Sequence, residues 1–243
     1  MRIAVGTDLQ WPAWARAQLV AAIGVAATAD SDRPVAVELY ERWFCRSTVA
    51  LTPRPLVGEY RRAHAGNAVS IEDGLPVLER QDRIGRDGWW RTWNTSWRPR
   101  RADGRVLLSP RPDVVADVVG ELTAALRDVP YLLSCPTSAA RLARAGSLVL
   151  HVPRVAAVPP DLLESLATLL LPDTPPLCLP VAPGVAVAQL PDNGMSFGEH
   201  RCHLVAMALR RGGEAGALRS IADVFLAHGV DPSAPHRTAR GGG

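Results

Sequence analysis

"GRVLLSPRPDVVADVVGELTAALRDVPYLLSC", Gly104 to Cys135, decides the fold class of this chain. "GRVLLS" is a short aliphatic run that reads as a strand. Beyond Pro112 the period changes. Val115, Val118, Val119, Leu122 and Leu126 recur at helical spacing, which predicts a helix over "RPDVVADVVGELTAALRDV" with one apolar face. "YLLSC", Tyr131 to Cys135, returns to a strand. The same rhythm continues downstream. "TSAARLARA" predicts a short helix opened by Thr137, and "SLVLHVP" a strand. "PPDLLESLATLLLPDTP" predicts a helix that starts after Pro159 and stops at Pro172. "LCLPVAPGVAVAQL" reads as a pair of short strands, and "GALRSIADVFLAHG" as a helix ending at Gly229 in a C-cap position. Strands alternating with helices imply an α+β domain, a mixed sheet flanked by helices.

Upstream, residues 11 to 30 predict a helix with Pro12 in its first turn. A second helix is expected over "PVAVELYERWFCR", Pro34 to Arg46, where Val37, Tyr40 and Phe44 recur at helical spacing. Residues 56 to 104 are less regular. Four of the seven tryptophans lie in "IGRDGWWRTWNTSWRPRRADGRVLL". Trp89, Trp93 and Trp97 repeat every four residues, but Gly88, Asn94 and Pro99 favour strands and turns, and "RRADGR" reads as a turn between two strands. These tryptophans are expected in the core. Exposed, they would mark an interface together with Tyr40 and Trp43.

Composition excludes several classes. A hydrophobic fraction of 47% over 243 residues supports a sizeable core, and a net charge of +3 argues against a dedicated nucleic-acid binder. There is no lysine: all 27 basic residues are arginine. Arginine stays protonated and is a poor general base, so neither a lysine base nor a Schiff-base lysine exists here. Cys45, Cys135, Cys178 and Cys202 are far apart and form no C-x-x-C motif. No apolar run is long enough to span a bilayer. "AQLVAAIGVAATADSD" resembles a signal peptide with cleavage after Ala29, but the 16 residues before it include Asp8, Trp11 and Trp14. A cytoplasmic location is expected.

Chemistry concentrates in "SFGEHRCHLVAMALRR", Ser196 to Arg211. Ser196 and Glu199 form the S-x-x-E capping-box pattern, so a helix starts at Ser196. Its first turn presents free N–H groups and a positive dipole end, where an anion can bind with help from Arg201. His200 and His203, three residues apart, share a face. Cys202 lies about 200° round from His200 and points elsewhere. A metal pair would need i, i+4 spacing and a third ligand, so no metal and no cofactor is expected. Phe197, Leu204, Val205, Ala208 and Leu209 belong to the core.

The chain resembles the HopA-type effector family, whose members also occur in gene clusters for ribosomally made peptides. The resemblance rests on "LYERWF", "GRVLLSPRPDVV", "VPYLLSCPTSAARLARAGSLVLHVP", "LPVAPGVAVAQLPDNGMSFGEHRCHLVAMAL" and "GVDPSAPH". Its most specific part is A-P-G followed by S-F-G-x-H-R-C. It covers residues 100 to 236 well and the N-terminal third loosely. It implies a helical N-terminal segment over 1–55, a HopA-like α+β domain over 56–236 and a disordered tail over 237–243, with fraying from Pro232.

In peptide-producing clusters such proteins resemble phosphothreonine lyases. A kinase phosphorylates Ser or Thr in a precursor peptide, and the lyase removes phosphate by β-elimination. Cysteine addition then closes a thioether ring, as in class V lanthipeptides and thioamitides. A base must take the Cα proton, and a cationic group must receive the phosphate. The resemblance implies His200 and His203 as the base candidates, and Arg201, Arg105 and Ser196 as phosphate or substrate ligands. The family often reads F-R-L-K where this chain has Tyr131 to Ser134, and T-K-P where it has Cys178 to Pro180. Ser134 and Leu179 thus stand at the two lysine positions. The expected function is a degenerate lyase-like maturation protein: a thioether cyclase, or a non-eliminating partner of the lyase or kinase. An active lyase with a histidine base and a non-catalytic binding module are the alternatives. The expected partners are a precursor peptide and a pathway kinase or related lyase, with no nucleic acid and no membrane.

Overall fold

The computed structural model describes residues 11–30, 32–47, 54–65, 69–72, 75–78, 81–94, 96–98, 104–191, 193–212 and 216–238. The chain divides into two compact units, Met1–Phe44 with Leu190–Gly243, and Cys45–Gln189. Among the described residues, no helix is long and apolar enough to cross a membrane.

The first unit is helical. α1, Ala13–Ala27, follows Pro12 at the N-cap and buries Ala15, Leu19 and Ala22, a stripe at helical spacing. α2, Val35–Leu39, runs into a π-helical turn, Tyr40–Phe44. The buried residues of this segment are Leu39 and Trp43 with Glu38, not the Val37, Tyr40 and Phe44 set: Leu39 and Trp43 also stand at helical i, i+4 spacing, and it is their face that turns to the core. Tyr40 and Phe44 instead stack with ring centroids 6.0 Å apart.

The second unit opens with α3, Val57–Ala63. β1, Val69–Glu72, and β2, Leu75–Leu78, pair as an antiparallel ribbon. β3, Gln81–Ile84, and β4, Trp89–Trp93, form a hairpin. Then come β5, Gly104–Leu108, α4, Val115–Ala125, and β6, Leu132–Pro136. α5, Ala139–Leu142, β7, Leu148–Val152, and α6, Pro160–Leu166, follow. The β8–β9 hairpin, Leu179–Ala182 and Val185–Ala188, completes the unit. Thr137 does not cap α5. Ser138 holds the N-cap position, and the Thr137 hydroxyl donates to the Gly88 carbonyl at 3.0 Å.

The α+β class holds. Seven strands form one sheet in the order β3-β4-β6-β7-β5-β9-β8, and every neighbouring pair is antiparallel. β5 and β6, joined by α4, run parallel to each other but are separated by β7. The strands on either side of "RRADGR" are therefore not partners: β4 pairs with β3 and β6, and β5 with β7 and β9. Residues 99–103 of that turn lie outside the described residues. One sheet face packs against α3, α4 and α6. Val106, Leu108, Leu133, Leu148, Leu150 and Trp90 meet Tyr60, the valine face of α4 and Leu166 there. Trp90 and Trp97 are buried, as the core reading expects, while Trp89 and Trp93 are half-buried.

In the first unit, α7, Phe197–Gly212, and α8, Ala217–Ala227, complete the helical cluster. Gly229 takes φ 69°, the left-handed conformation suited to its place just past α8.

Candidate functional site

The "SFGEHRCHL" segment is built as architecture. The Ser196 amide donates to Glu199 Oε2 at 2.9 Å, and the Glu199 amide donates to Ser196 Oγ at 3.3 Å, so the capping box forms. The Glu199 carboxylate therefore occupies the positive helix end where an incoming anion was expected, and the Ser196 hydroxyl serves as a cap. A Cβ on Gly198 would fall 2.4 Å from a carbon of the Phe44 ring, so only glycine lets that ring lie on α7.

Arg201 is fully buried. Its Nε donates to the Pro235 carbonyl at 2.8 Å, Nη2 to the Arg237 carbonyl at 2.8 Å, and Nη1 meets His200 Nδ1 at 2.6 Å. The guanidinium carbon stands 4.6 Å from the Phe197 ring centre and 5.9 Å from that of Phe225. Arg201 is thus a staple that fastens the C-terminal segment to α7, not an open phosphate ligand. The expected fraying from Pro232 is corrected for the same reason. The Thr238 hydroxyl adds a bond to the Leu190 carbonyl at 3.4 Å.

His200 is buried and cannot serve as a general base in this arrangement. Its Nδ1 lone pair faces a donor that is always protonated, so the imidazole carries its proton on Nε2. Burial first, then Arg201, His228 and His203, lower its pKa to about 4. His203 is exposed, so the two histidines do not converge on one ligand.

Arg105 belongs to the other unit. Its neighbours follow from strand register. On the sheet face opposite α4, one row runs Trp93, Leu132, His151, Arg105, Ala188. The next row runs Arg83, Arg91, Ser134, Val149, Leu107, Ala186. This second row opens to solvent at its β3–β4 end, Ser134 still being buried. Ala186 and Leu107 are buried, Arg91 is 29% exposed in its side chain, and Arg83 is exposed. His151 stays neutral down to a pKa of about 3, held there by burial first and then by the charges of Arg105 and Arg91. The Trp97 ring meets His151 edge-on with centroids 6.5 Å apart. Its indole Nε1 is buried and has no acceptor among the described residues.

Ser134 and Leu179, the positions at which the resemblance implies lysines, separate across the sheet. Ser134 sits on the arginine face, opposite Arg91. Leu179 pairs with Val187 and packs against the core. A charge at position 179 would face hydrophobic side chains, so only Ser134 stands where a base could meet the arginines. The sequence reading found Arg105 but not Arg91, His151 or Trp97. A period-two reading of "WWRTW" and "LVLHV" places Arg91 and His151 opposite the core positions, but which strands are neighbours is set by topology.

The sequence profile of the HopA1 effector protein family matches residues 97–237. No curated protein matches the chain in sequence. Among the solved structures that share its fold are two effector proteins. The effector protein from Pseudomonas syringae pv. tomato strain DC3000 superposes with a TM-score of 0.70 at 13% identity, covering 93% of this chain and 97% of that one. The effector protein from Pseudomonas syringae pv. syringae strain 61 gives a TM-score of 0.64 at 16% identity, covering 96% and 100%.

Proposed function

This chain belongs to the HopA1 effector protein family, and on that premise we propose that it is a lyase-like protein that binds a phosphorylated or dehydrated Ser/Thr precursor peptide without itself eliminating phosphate. The setting is the maturation of a ribosomally made, class V lanthipeptide-like product, alongside a kinase or an active lyase.

The observation that carries this reading is the arginine face of the sheet. Arg91 and Arg105 lie on strands separated by β6 and β7, with His151 beside Arg105 in its row and the Trp97 indole donor without an acceptor among the described residues. Arginine clamps phosphate through paired N–H donors, and a buried N–H without an acceptor calls for an oxygen. Elimination also requires a base that holds a proton near neutral pH. His200 has its Nδ1 engaged, and His151 is a weak base with a pKa of about 3. Ser134 stands where the resemblance implies a lysine. Among the described residues the face has binding equipment and only the weak base His151.

The test is a synthetic phosphothreonine peptide titrated into the protein by calorimetry and followed by mass spectrometry. Binding is expected to weaken about tenfold in Arg105→Gln or Arg91→Gln, a loss of about 1.4 kcal/mol. The peptide mass is expected to stay unchanged. Rapid loss of phosphoric acid would return the protein to the active lyases. Equal affinity for the phosphorylated and plain peptides would remove the phosphate reading altogether.

A further inference from the structure

Beside Arg91, the β3–β4 hairpin carries two arginines that the phosphate-binding reading does not use, Arg83 and Arg86. Arg83 and Arg91 are direct cross-strand partners, so two like charges face each other on one surface of an antiparallel pair. Such an arrangement destabilises a hairpin unless an anion lies between or beside the charges. Asp87 relieves part of it. Its carboxylate takes Arg91 Nη1 at 3.1 Å and Nη2 at 2.5 Å, and the Arg91 bonds hold the Asp87 pKa below the usual carboxylate value. Arg83 and Arg86 form no ion pair among the described residues. Three arginines against one aspartate leave this turn at +2.

These groups line an open surface cleft formed by Arg83, Ile84, Gly85, Arg86, Asp87 and Arg91. The cleft is held in shape from both sides. The Gly85 amide donates to the Trp89 carbonyl at 2.8 Å, and the Gly88 amide to the Gly85 carbonyl at 3.1 Å. Gly88 adopts φ 78°, which suits glycine. Its carbonyl accepts from the Thr137 amide and hydroxyl, and Arg141 donates to the Asp87 carbonyl. The turn is therefore anchored to the segment after β6. Ile84 is 52% exposed at the rim, and β3 is an outer strand of the seven-stranded sheet.

We propose that this cleft is a docking site for an acidic peptide segment, with carboxylates between Arg83 and Arg86 and an apolar residue against Ile84. A cationic, pre-shaped cleft beside an exposed aliphatic side chain suits an extended chain that alternates acidic and apolar residues. An anion alone would leave Ile84 unused, and a purely apolar partner would strand the arginines. This inference deepens the peptide-binding reading and rests on it: the cleft adjoins Arg91, so one chain can place a phosphorylated residue on the arginine face and an acidic stretch at the turn.

The experiment separates the two. Unphosphorylated fluorescent peptides with an Asp/Glu–Ile pattern, and the same peptides with Asn/Gln, are titrated by anisotropy against wild type, the double variant Arg83→Gln/Arg86→Gln, and Arg105→Gln. The acidic peptide is expected to bind at low salt, to weaken about tenfold in the double variant, and to lose affinity as salt rises. Arg105→Gln is expected to leave it unchanged. The amide peptide is expected to bind wild type no better than the acidic one binds the double variant. Circular dichroism confirms that the double variant folds. Equal affinity for acidic and amide peptides, or an unaffected double variant, overturns the docking site while the phosphothreonine titration still stands or falls by itself. Full displacement of the acidic peptide by millimolar inorganic phosphate shows a small-anion site and also overturns it.

Discussion

Replacing Arg201 by Met tests whether the most specific family motif is structural or chemical. The substitution keeps a long apolar stem between Phe197 and Phe225 and removes the guanidinium. Three contacts go, to the Pro235 and Arg237 carbonyls and to His200 Nδ1. A hydrogen bond to a charged group contributes about 1.5–3 kcal/mol, so the three sum to roughly 5–9 kcal/mol if nothing relaxes. The C-terminal segment can open and hydrate its carbonyls, which caps the loss near that of one broken buried polar cluster, about 3–5 kcal/mol. Urea unfolding monitored by far-UV circular dichroism gives the global value. Hydrogen exchange over residues 230–238 gives the local one. The expected result is a lower midpoint and much faster exchange in that segment. A variant within about 0.5 kcal/mol of wild type with unchanged exchange would refute the staple. If that variant also lost phosphopeptide binding, Arg201 would return to the site as a ligand.

Gly184, at φ 71° in the β8–β9 turn, is expected to resist substitution. A Cβ there would lie 2.2 Å from the Leu171 carbonyl oxygen, so Gly184→Ala should cost at least the ~1–2 kcal/mol of left-handed strain, read as a lower melting temperature. Gly198→Ala meets a movable ring instead of backbone, so about 1–3 kcal/mol is expected, partly offset by better helix propensity. Acid should destabilise the protein. The unfolded chain protonates both imidazoles below about pH 6.5, whereas folded His200 and His151 wait until about 4 and 3. Stability is therefore complete above pH 6.5 and falls as pH drops towards 3, and His151→Gln should flatten the lower part of that curve in pH-dependent urea unfolding.

Much of the local structure was legible in the chain. The valine face of α4 was readable because burial against a sheet selects residues every three to four positions. The β8–β9 pair and the Ser196 capping box were readable because turn and cap geometry depend on residues within one short segment. The tail reading failed on one nonlocal fact, that a side chain on α7 reaches carbonyls 34 and 36 residues later. Helical spacing also misled at Val37, Tyr40 and Phe44, because Leu39 and Trp43 share the same i, i+4 spacing and packing, not period, chose between the two faces.

The sequence by itself determined the α+β class, the positions of most elements and the absence of any lysine base, since these depend on composition and short-range periodicity. Only the tertiary structure decided what the charged residues do. It turned Arg201 and His200 inward, one as donor and the other as acceptor. It placed Ser134 and Leu179 on opposite faces of one sheet. It also set Arg91, His151 and Arg105 in adjoining rows through pairings between strands distant in the chain. Side-chain alternation assigns a residue to a face of its own strand, but the order in which strands join is fixed by packing across the whole unit, and a reactive surface exists only once that order is set.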